Sequence, residues 1–219
     1  MEVDAVQVQG GSCYVDEESR ECKRYYLSRR TVLEMLRDRG FAIPSSEIDL
    51  SLSNFRSIHG QTPDIDRLRF SATHTLDTSK RILVVFCGPD VVKINDVRSI
   101  FLQIANRNTL TGLILILQNH VTSQALKAIN LFSFKVELFQ IPDLLVNITK
   151  HVLKPKLVVL TEEEKLELLE KYSLKENQLP RMLQNDTTAR YYGLERGQVV
   201  KITYSGEITQ LHVTYRCVW

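Results

Sequence analysis

Residues 178–219 read QLPRMLQNDTTARYYGLERGQVVKITYSGEITQLHVTYRCVW and combine a helix end, a turn and two strand-like runs in one segment. A short helix ending at Tyr192 is predicted to stop at Gly193, because glycine adopts the left-handed backbone conformation without steric cost. Leu194 then folds back onto the last helical turn. Gly197 allows the chain to turn into the next run, so the first half of the segment is a helix with a defined end.

The second half of this segment predicts a β-hairpin. Residues 198–203 alternate apolar and polar side chains, and residues 212–216 form a partner run. Ser205 and Gly206 supply turn chemistry between them. These residues include no catalytic constellation, and we interpret the segment as a scaffold that presents a surface.

Composition places the chain among ordinary globular proteins. Its 219 residues are 43% hydrophobic and 25% charged, enough for one large domain or two small ones. The longest apolar run, residues 82–87, is far shorter than the ~20 residues of a membrane helix. The N-terminus has no basic patch followed by an apolar stretch, so we expect neither a membrane segment nor a cleaved secretory signal. An intracellular protein is therefore expected.

Cysteine and histidine are scattered rather than clustered. The four cysteines form no CxxC pair, and the five histidines are isolated from one another. We therefore expect reduced, structural thiols and neither a metal site nor a cofactor.

The net charge of +2 is unevenly distributed. Residues 1–22 carry six acids and one base, whereas residues 23–148 carry 16 bases and 11 acids and residues 149–219 carry 11 and 9. This is far from the dense basic surface of a protein that binds nucleic acid alone, so any DNA contact is expected to be local and shared with a partner.

Three parts follow from these patterns: an acidic flexible leader at 1–22, an N-terminal domain at 23–148 and a C-terminal domain at 149–219. A first helix runs from Lys23 to a closing Gly40, and its arginines are interpreted as solvated, with a binding face as the alternative. A second helix is predicted at 49–58 and a weak strand at 66–75.

Residues 82–139 alternate apolar strands with helices. Strands are predicted at 82–86, 113–117 and 135–139, and helices at 95–105 and from Thr122 to Ile129. This order is typical of a largely parallel sheet covered on both faces, a three-layer α/β domain.

The C-terminal domain is predicted to be a small mixed α+β unit that ends in the hairpin. A strand is expected at 157–160. Thr161 and Glu164 form a capping box for a helix that reaches about Tyr172. The apolar side chains expected to be buried by this helix are Leu166, Leu168 and Leu169.

An enzyme of the metal-dependent nuclease class is the alternative from a different functional class. Such enzymes carry a Pro-Asp pair on one strand, followed by an acid-x-Lys on the next. Pro89-Asp90 offers the first half, but residues 113–117 supply only LILIL. Glu137 has Lys135 in the reverse order and is expected to point outward, so no catalytic residue is assigned.

Residues 119–124 (NHVTSQ) lead from the most apolar strand into a helix. Exposed N–H groups and hydroxyls at such a position suit a phosphate oxygen, with Lys127 one turn further on. The alternative is that Thr122 simply caps its own helix. Both interpretations remain open from the sequence.

Several motifs together resemble the fifth subunit of eukaryotic nuclear RNA polymerases. They are residues 26–30 (YLSRR), 35–41 (MLRDRGF), 144–148 (LLVNI), 151–155 (HVLKP), 178–181 (QLPR) and 189–202 (ARYYGLERGQVVKI). The similarity covers about residues 24–219, and the C-terminal motifs are long and ordered.

The resemblance implies a non-catalytic subunit of a nuclear DNA-directed RNA polymerase. The C-terminal domain would correspond to the small H-type component of archaeal RNA polymerase and dock on the largest subunit. The N-terminal domain would form a lower jaw beside downstream duplex DNA, with a restriction-endonuclease-like core that lacks an active site. The assembly-surface candidates are His151, Pro155, Gln178, Pro180, Arg181, Arg190, Tyr191, Tyr192, Gly193, Gly197 and Val199, and the DNA-proximal candidates are His120, Thr122, Ser123, Gln124 and Lys127.

Departures from the family pattern indicate a particular form. Residues 119–125 lack the proline found at the DNA-facing loop of the shared subunit, and residues 204–211 (YSGEITQL) replace its usual hairpin sequence. Together with the acidic leader, these features resemble the diverged form in plant RNA polymerase V, which transcribes non-coding RNA for RNA-directed DNA methylation. The alternative is the subunit shared by polymerases I, II and III.

Overall fold

The structure, a computed structural model, describes residues 17–104, 109–205 and 211–219. The N-terminal elements are α1 (Glu17–Asp38), α2 (Ser45–Ile48), α3 (Leu52–His59), β1 (Phe70–Thr73), β2 (Arg81–Phe86), α4 (Ile94–Gln103), β3 (Leu110–Leu117), α5 (Ser123–Ile129), β4 (Lys135–Gln140) and α6 (Ile141–Leu144). The C-terminal elements are β5 (Lys156–Val159), α7 (Glu162–Tyr172), β6 (Arg181–Met182), α8 (Thr187–Tyr192), β7 (Val199–Tyr204) and β8 (His212–Val218). Short 3₁₀ turns lie at Ile65–Leu68, Ile148–Lys150 and Glu176–Gln178.

The first helix begins earlier than the sequence predicts. α1 starts at Glu17, so the last residues of the predicted leader are helical, whereas residues 1–16 lie outside the described part of the chain. The reason is Cys22, which is fully buried one turn before Tyr25 and extends the apolar stripe. The predicted end is confirmed: Gly40, two residues after the last residue of α1, has φ +90.

The N-terminal sheet has the order β1-β2-β3-β4. β2, β3 and β4 are parallel and β1 is antiparallel to β2. The three apolar strands predicted from the sequence are confirmed, with β3 starting earlier, at Leu110. Parallel strands of this kind are apolar on both faces because helices cover both.

Two hydrophobic clusters confirm that coverage. One joins α1 to the sheet through Tyr25, Phe86 and Ile116, and the other joins α4 and α5 to it through Val97, Leu115 and Ile129. α4 and α5 therefore share one face, while α1 lies on the other.

Two N-terminal predictions were wrong in their details. The helix expected at 49–58 is α3, which begins three residues later at Leu52, because Ser51 accepts a hydrogen bond from the Asn54 N–H at 3.2 Å and caps the helix. The weak strand expected at 66–75 is shorter, since the 3₁₀ turn Ile65–Leu68 precedes β1.

The predicted hairpin is the centre of a second sheet with the order β5-β7-β8-β6. β7 and β8 pair antiparallel from Val199 opposite Cys217 to Tyr204 opposite His212. β5 adds antiparallel to β7, and the two-residue β6 runs parallel to β8. The turn predicted at Ser205 and Gly206 lies partly outside the described residues. The prediction of a mixed α/β fold is confirmed.

The capping box of α7 is confirmed, and Leu168 and Leu169 face the core as predicted, but Leu166 does not. The Glu164 N–H donates to Thr161 Oγ1 at 3.2 Å, and the Thr161 N–H donates to Glu164 Oε2 at 2.8 Å. Leu168 is buried, whereas Leu166 is 58% exposed. Lys165 is buried in its place, because its ammonium meets Glu176 at 2.7 Å.

Among the described residues, no helix is long and apolar enough to cross a membrane.

Candidate functional site

The end of α8 has the geometry that the sequence predicts. Gly193 sits in the left-handed region with φ 64 and ψ 31. The Leu194 N–H folds back to the Ala189 carbonyl at 2.9 Å, and the Leu194 side chain is buried. The Gly193 N–H donates to the Arg190 carbonyl at 3.1 Å, and the Tyr191 carbonyl follows at the helix end, where helical donors run out.

Arg39, at the end of α1, donates to both of these carbonyls. Its Nη2 donates to the Arg190 carbonyl at 2.7 Å and its Nε to the Tyr191 carbonyl at 2.8 Å. The remaining side of the guanidinium binds both oxygens of Glu137 on β4, at 3.0 and 2.8 Å. A cation at a helix C-terminus is also favoured by the helix dipole. Arg39 therefore joins α1, β4 and α8 at one point.

This cluster corrects two sequence predictions. The Arg39 side chain is 7% exposed and so is not a solvated helix arginine. Glu137 does not point outward, because β4 places it on the α1 face with Phe139, where Arg39 neutralises it. Arg29 is likewise only 13% exposed and pairs with Glu47.

Tyr191 makes a second connection beside the first. Its hydroxyl donates to Asp38 at 2.8 Å and accepts from the Asn147 side-chain amide at 3.2 Å. The same amide donates to Glu34 on α1 at 2.7 Å. Burial raises the pKa of Tyr191 well above its usual range, and the hydrogen bond to Asp38 adds to the shift. The phenol therefore stays neutral and links α8 to α1.

Glu34 is a buried carboxylate held in its charged form. Burial alone would raise its pKa, but hydrogen bonds from Asn147 and Lys150 outweigh that effect, so its pKa lies below its ordinary value. Lys150 contacts it at 2.5 Å and Arg30 at 3.4 Å. The 3₁₀ turn that carries Lys150 is thus fixed to α1.

Arg190 also turns toward the N-terminal domain. Its Nη2 donates to the Leu138 carbonyl at 2.6 Å, and its guanidinium lies 4.7 Å from the centre of the Phe139 ring. Asp143 is within 3.5 Å. Of the assembly-surface candidates, Arg190, Tyr191 and Gly193 therefore contact the protein's own first domain.

The other candidates divide into buried and exposed positions. Val199 is fully buried in the second sheet, Tyr192 is partly buried, and Gly197 shapes the turn before β7 with φ +91. Exposed positions are His151, Gln178, Pro180 and Arg181, with Pro155 half-buried. Arg181 stacks on the Trp219 ring at 4.4 Å.

Three apolar side chains that the sequence interpretation did not select lie exposed next to His151. Val146, Val152 and Leu153 are 71%, 96% and 84% exposed, and they flank the 3₁₀ turn Ile148–Lys150. We call residues 146–155 the apolar loop. The signal for it was in the sequence: four apolar residues in a stretch that fits neither helix nor strand period.

Of the DNA-proximal candidates, His120 and Thr122 lie in the loop between β3 and α5, and Ser123, Gln124 and Lys127 lie in α5 itself. His120, Ser123, Gln124 and Lys127 are exposed. Thr122 is half-buried and caps α5 by accepting from the Ala125 N–H at 3.4 Å, so the capping interpretation is confirmed.

This loop is fixed to the loop that follows β2. The Val92 N–H donates to the His120 carbonyl at 3.2 Å, and the Thr122 N–H donates to the Val92 carbonyl at 3.1 Å. Both loops stand at the carboxyl ends of parallel strands, so they form one edge of the sheet.

Asp90, the acid of the nuclease alternative, lies at the same edge. It lines a cavity of about 560 Å³ with Asp64, Asp66 and Asp96. The adjacent strand β3 contributes only apolar side chains after Thr111, so it brings no carboxylate or lysine to this edge. Within the described ranges, no group of three or more His, Cys, Asp or Glu side chains is arranged to hold a metal ion.

Comparison with known proteins decides the family. Residues 19–104 match the family model of the RNA polymerase Rpb5 N-terminal domain, and residues 146–218 match that of the Rpb5 C-terminal domain. The chain belongs to the Rpb5 family. The predicted resemblance to the fifth subunit of RNA polymerases is thereby confirmed.

Rpb5 relatives of two kinds are similar to this protein. It is 56% identical to the DNA-directed RNA polymerase V subunit 5A of Arabidopsis thaliana over the whole of both chains. It is also 56% identical to the polymerases IV and V subunit 5B of that plant, over 93% of this chain and 94% of that one. It is 36% identical to the polymerases I, II and III subunit RPABC1 of Caenorhabditis briggsae, over 92% of this chain and 99% of that one.

Proposed function

We propose that this protein is a non-catalytic subunit of a nuclear multisubunit RNA polymerase of the polymerase V type. Its full-length identity of 56% to the Arabidopsis polymerase V subunit 5A carries the proposal, against 36% to the RPABC1 relative. Its role is then in non-coding transcription that supports RNA-directed DNA methylation. The active site lies in other chains.

The C-terminal domain, residues 149–219, docks on the largest subunit. Protein interfaces have an apolar, desolvated core with a polar rim. The apolar loop crosses the boundary between the two domains and offers such a core through Val152 and Leu153, with Val146, His151 and Lys150 beside them. Residues that contact the first domain, such as Tyr191, support the shape of this surface from behind.

The N-terminal domain, residues 23–148, serves as the lower jaw beside downstream duplex DNA. Its sheet is a restriction-endonuclease-like core without the nuclease residues. Ser123, Gln124 and Lys127 are exposed on the first turns of α5, where a hydroxyl, an amide and a cation can approach phosphates. One lysine gives a weak contact, so DNA is held only in the assembled polymerase.

Affinity purification through a tag on this chain tests the docking. Mass spectrometry of the purified complex is expected to find the largest subunit of polymerase V. The double variant Val152→Ser, Leu153→Ser should lose that subunit while its melting temperature stays unchanged, since both side chains are exposed. Leu76→Ser, at a 92% exposed position in the N-terminal domain, is the matched control and should retain it.

A purified complex that contains no polymerase subunit would refute the proposal. Purified chain that cleaves DNA with Mg²⁺, and loses the activity in Asp90→Ala, would establish the nuclease alternative instead.

A further inference from the structure

We propose that Arg39 and Tyr191 form a two-point latch that fixes the orientation of the N-terminal domain relative to the docking domain. This inference rests on the proposed function, since it assigns a role to the domain orientation in the assembled polymerase. The latch is made of side chains, so it is separate from the chain connection through the apolar loop.

The first point is the guanidinium of Arg39. It makes two hydrogen bonds to Glu137 and one each to the carbonyls of Arg190 and Tyr191, all within 3.0 Å. Such a planar fork has a fixed direction, and lysine cannot reproduce it. At 7% exposure the charges are poorly screened by water, which strengthens the contact.

The second point is the phenol of Tyr191. It reaches Asp38, the neighbour of Arg39 on α1, at 2.8 Å. Two adjacent residues of α1 thus hold two adjacent residues of α8. Arg190 adds its own bond to the Leu138 carbonyl, and the contacts of Arg39 and Tyr191 set the angle between α1 and α8.

The apolar loop is tied to the same helix. Asn147 and Lys150 both bind Glu34, one turn before Asp38. Asn147 uses both amide hydrogens and its oxygen, which accepts from the Thr149 N–H at 2.9 Å and the Thr149 hydroxyl at 2.6 Å. A partner bound to the apolar loop is therefore connected through α1 to the position of the jaw.

Pulsed electron–electron spin resonance on the full chain tests the latch. Spin labels are placed by Leu131→Cys in the first domain and Leu166→Cys in the second, both exposed sites, with Cys13→Ser to remove a native thiol. The wild type is expected to give one narrow distance distribution. Arg39→Gln and Tyr191→Phe should each broaden or shift it.

Controls separate orientation from folding. Arg24→Gln removes an exposed arginine near the start of α1, away from Asp38 and Arg39, and should leave the distribution unchanged. Arg39→Lys should not restore it. If Arg39→Gln does not fold, Glu137→Gln keeps the side-chain volume, weakens the same contact and should broaden the distribution.

The latch would be overturned if Tyr191→Phe, and whichever of the Arg39 and Glu137 variants folds, both gave the same distance distribution as the wild type. Failure of the proposed function looks different, because the wild-type chain would then not retain the largest subunit, whereas the distances are measured without it. The Arg39 variants are expected to keep the largest subunit, since Arg39 bonds Glu137, Arg190 and Tyr191 rather than the apolar loop.

Discussion

A Cβ placed on Gly193 would lie 2.9 Å from Nη1 of Arg39. Gly193 also has φ +64, a conformation that strains other residues. The glycine is therefore required twice: once to end α8, and once to admit the arginine that bonds the end of that helix. The first requirement is local, while the second comes from a residue on the first helix of the protein.

Gly193→Ala is expected to lower the free energy of unfolding by about 2–4 kcal/mol, the sum of left-handed strain and a close contact. In an Arg39→Ala background the same substitution should cost only about 1–2 kcal/mol, because the contact is gone. Urea unfolding of the four proteins in this cycle measures the difference.

Gly197→Ala is the matched control for that cycle. Gly197 has φ +91, yet an added Cβ would meet no atom within 4 Å. Its cost should be the same with and without Arg39. Equal costs for Gly193→Ala in the two backgrounds would show that the contact with Arg39 does not matter.

The ionisation of Glu34 is expected to make the free energy of unfolding depend on pH. Its pKa is lowered in the folded protein because the hydrogen bonds from Asn147 and Lys150 outweigh burial. A lowered pKa stabilises the folded state above the unfolded value of about 4.3 and loses that effect as pH falls through the folded value. The contribution is therefore complete at neutral pH and disappears in acid.

Glu34→Gln should destabilise the protein by about 1–3 kcal/mol at pH 7, the cost of disrupting a buried, charge-assisted network. The gap to the wild type should close below about pH 4. Urea unfolding at several pH values measures it. Glu167→Gln, at an exposed position of α7, changes the net charge equally and is the control for that change. If the difference in unfolding free energy between Glu34→Gln and the wild type stayed constant in acid, the role given to Glu34 would be contradicted.

Local features were predictable from the sequence, and distant pairings were not. The cap at Thr161 and the helix end at Gly193 depend on residues within a few positions, so their chemistry is visible in the text. Arg39 lies among other arginines on α1 and looks equally solvated. Only the folded chain brings it against Glu137 and the end of α8.

The candidate site shows the same limit. Its motif at residues 189–202 identifies the family, but Tyr191 turned out to face Asp38 rather than a free surface. Val152 and Leu153 carry the exposed apolar area, and no periodicity marked them. A side chain's direction depends on packing that a single sequence does not contain.

α7 offers a direct test of which leucine is buried. Leu168→Ala should cost about 2–4 kcal/mol, because it empties a position between the helix and the second sheet. Leu166→Ala, at an exposed position, should change stability by less than about 0.5 kcal/mol. Thermal unfolding compares the two, and a larger loss for Leu166→Ala would contradict the observed face of α7.

The thiols give a prediction about reactivity. Cys22, Cys87 and Cys217 are free and buried. Burial raises the pKa of Cys87 to about 11, with Asp96 adding to the shift, so at pH 8 this thiol is both inaccessible and protonated. Only the thiolate is nucleophilic.

In a Cys13→Ser variant, no thiol should react with a disulfide reagent at pH 8 until urea unfolds the chain, when three should react. Rapid reaction of a thiol in the folded protein would contradict this and show that one of the three positions opens to solvent. If that position is Cys87, at the sheet edge beside Asp90, the Cys87→Ala variant would lose the rapid phase.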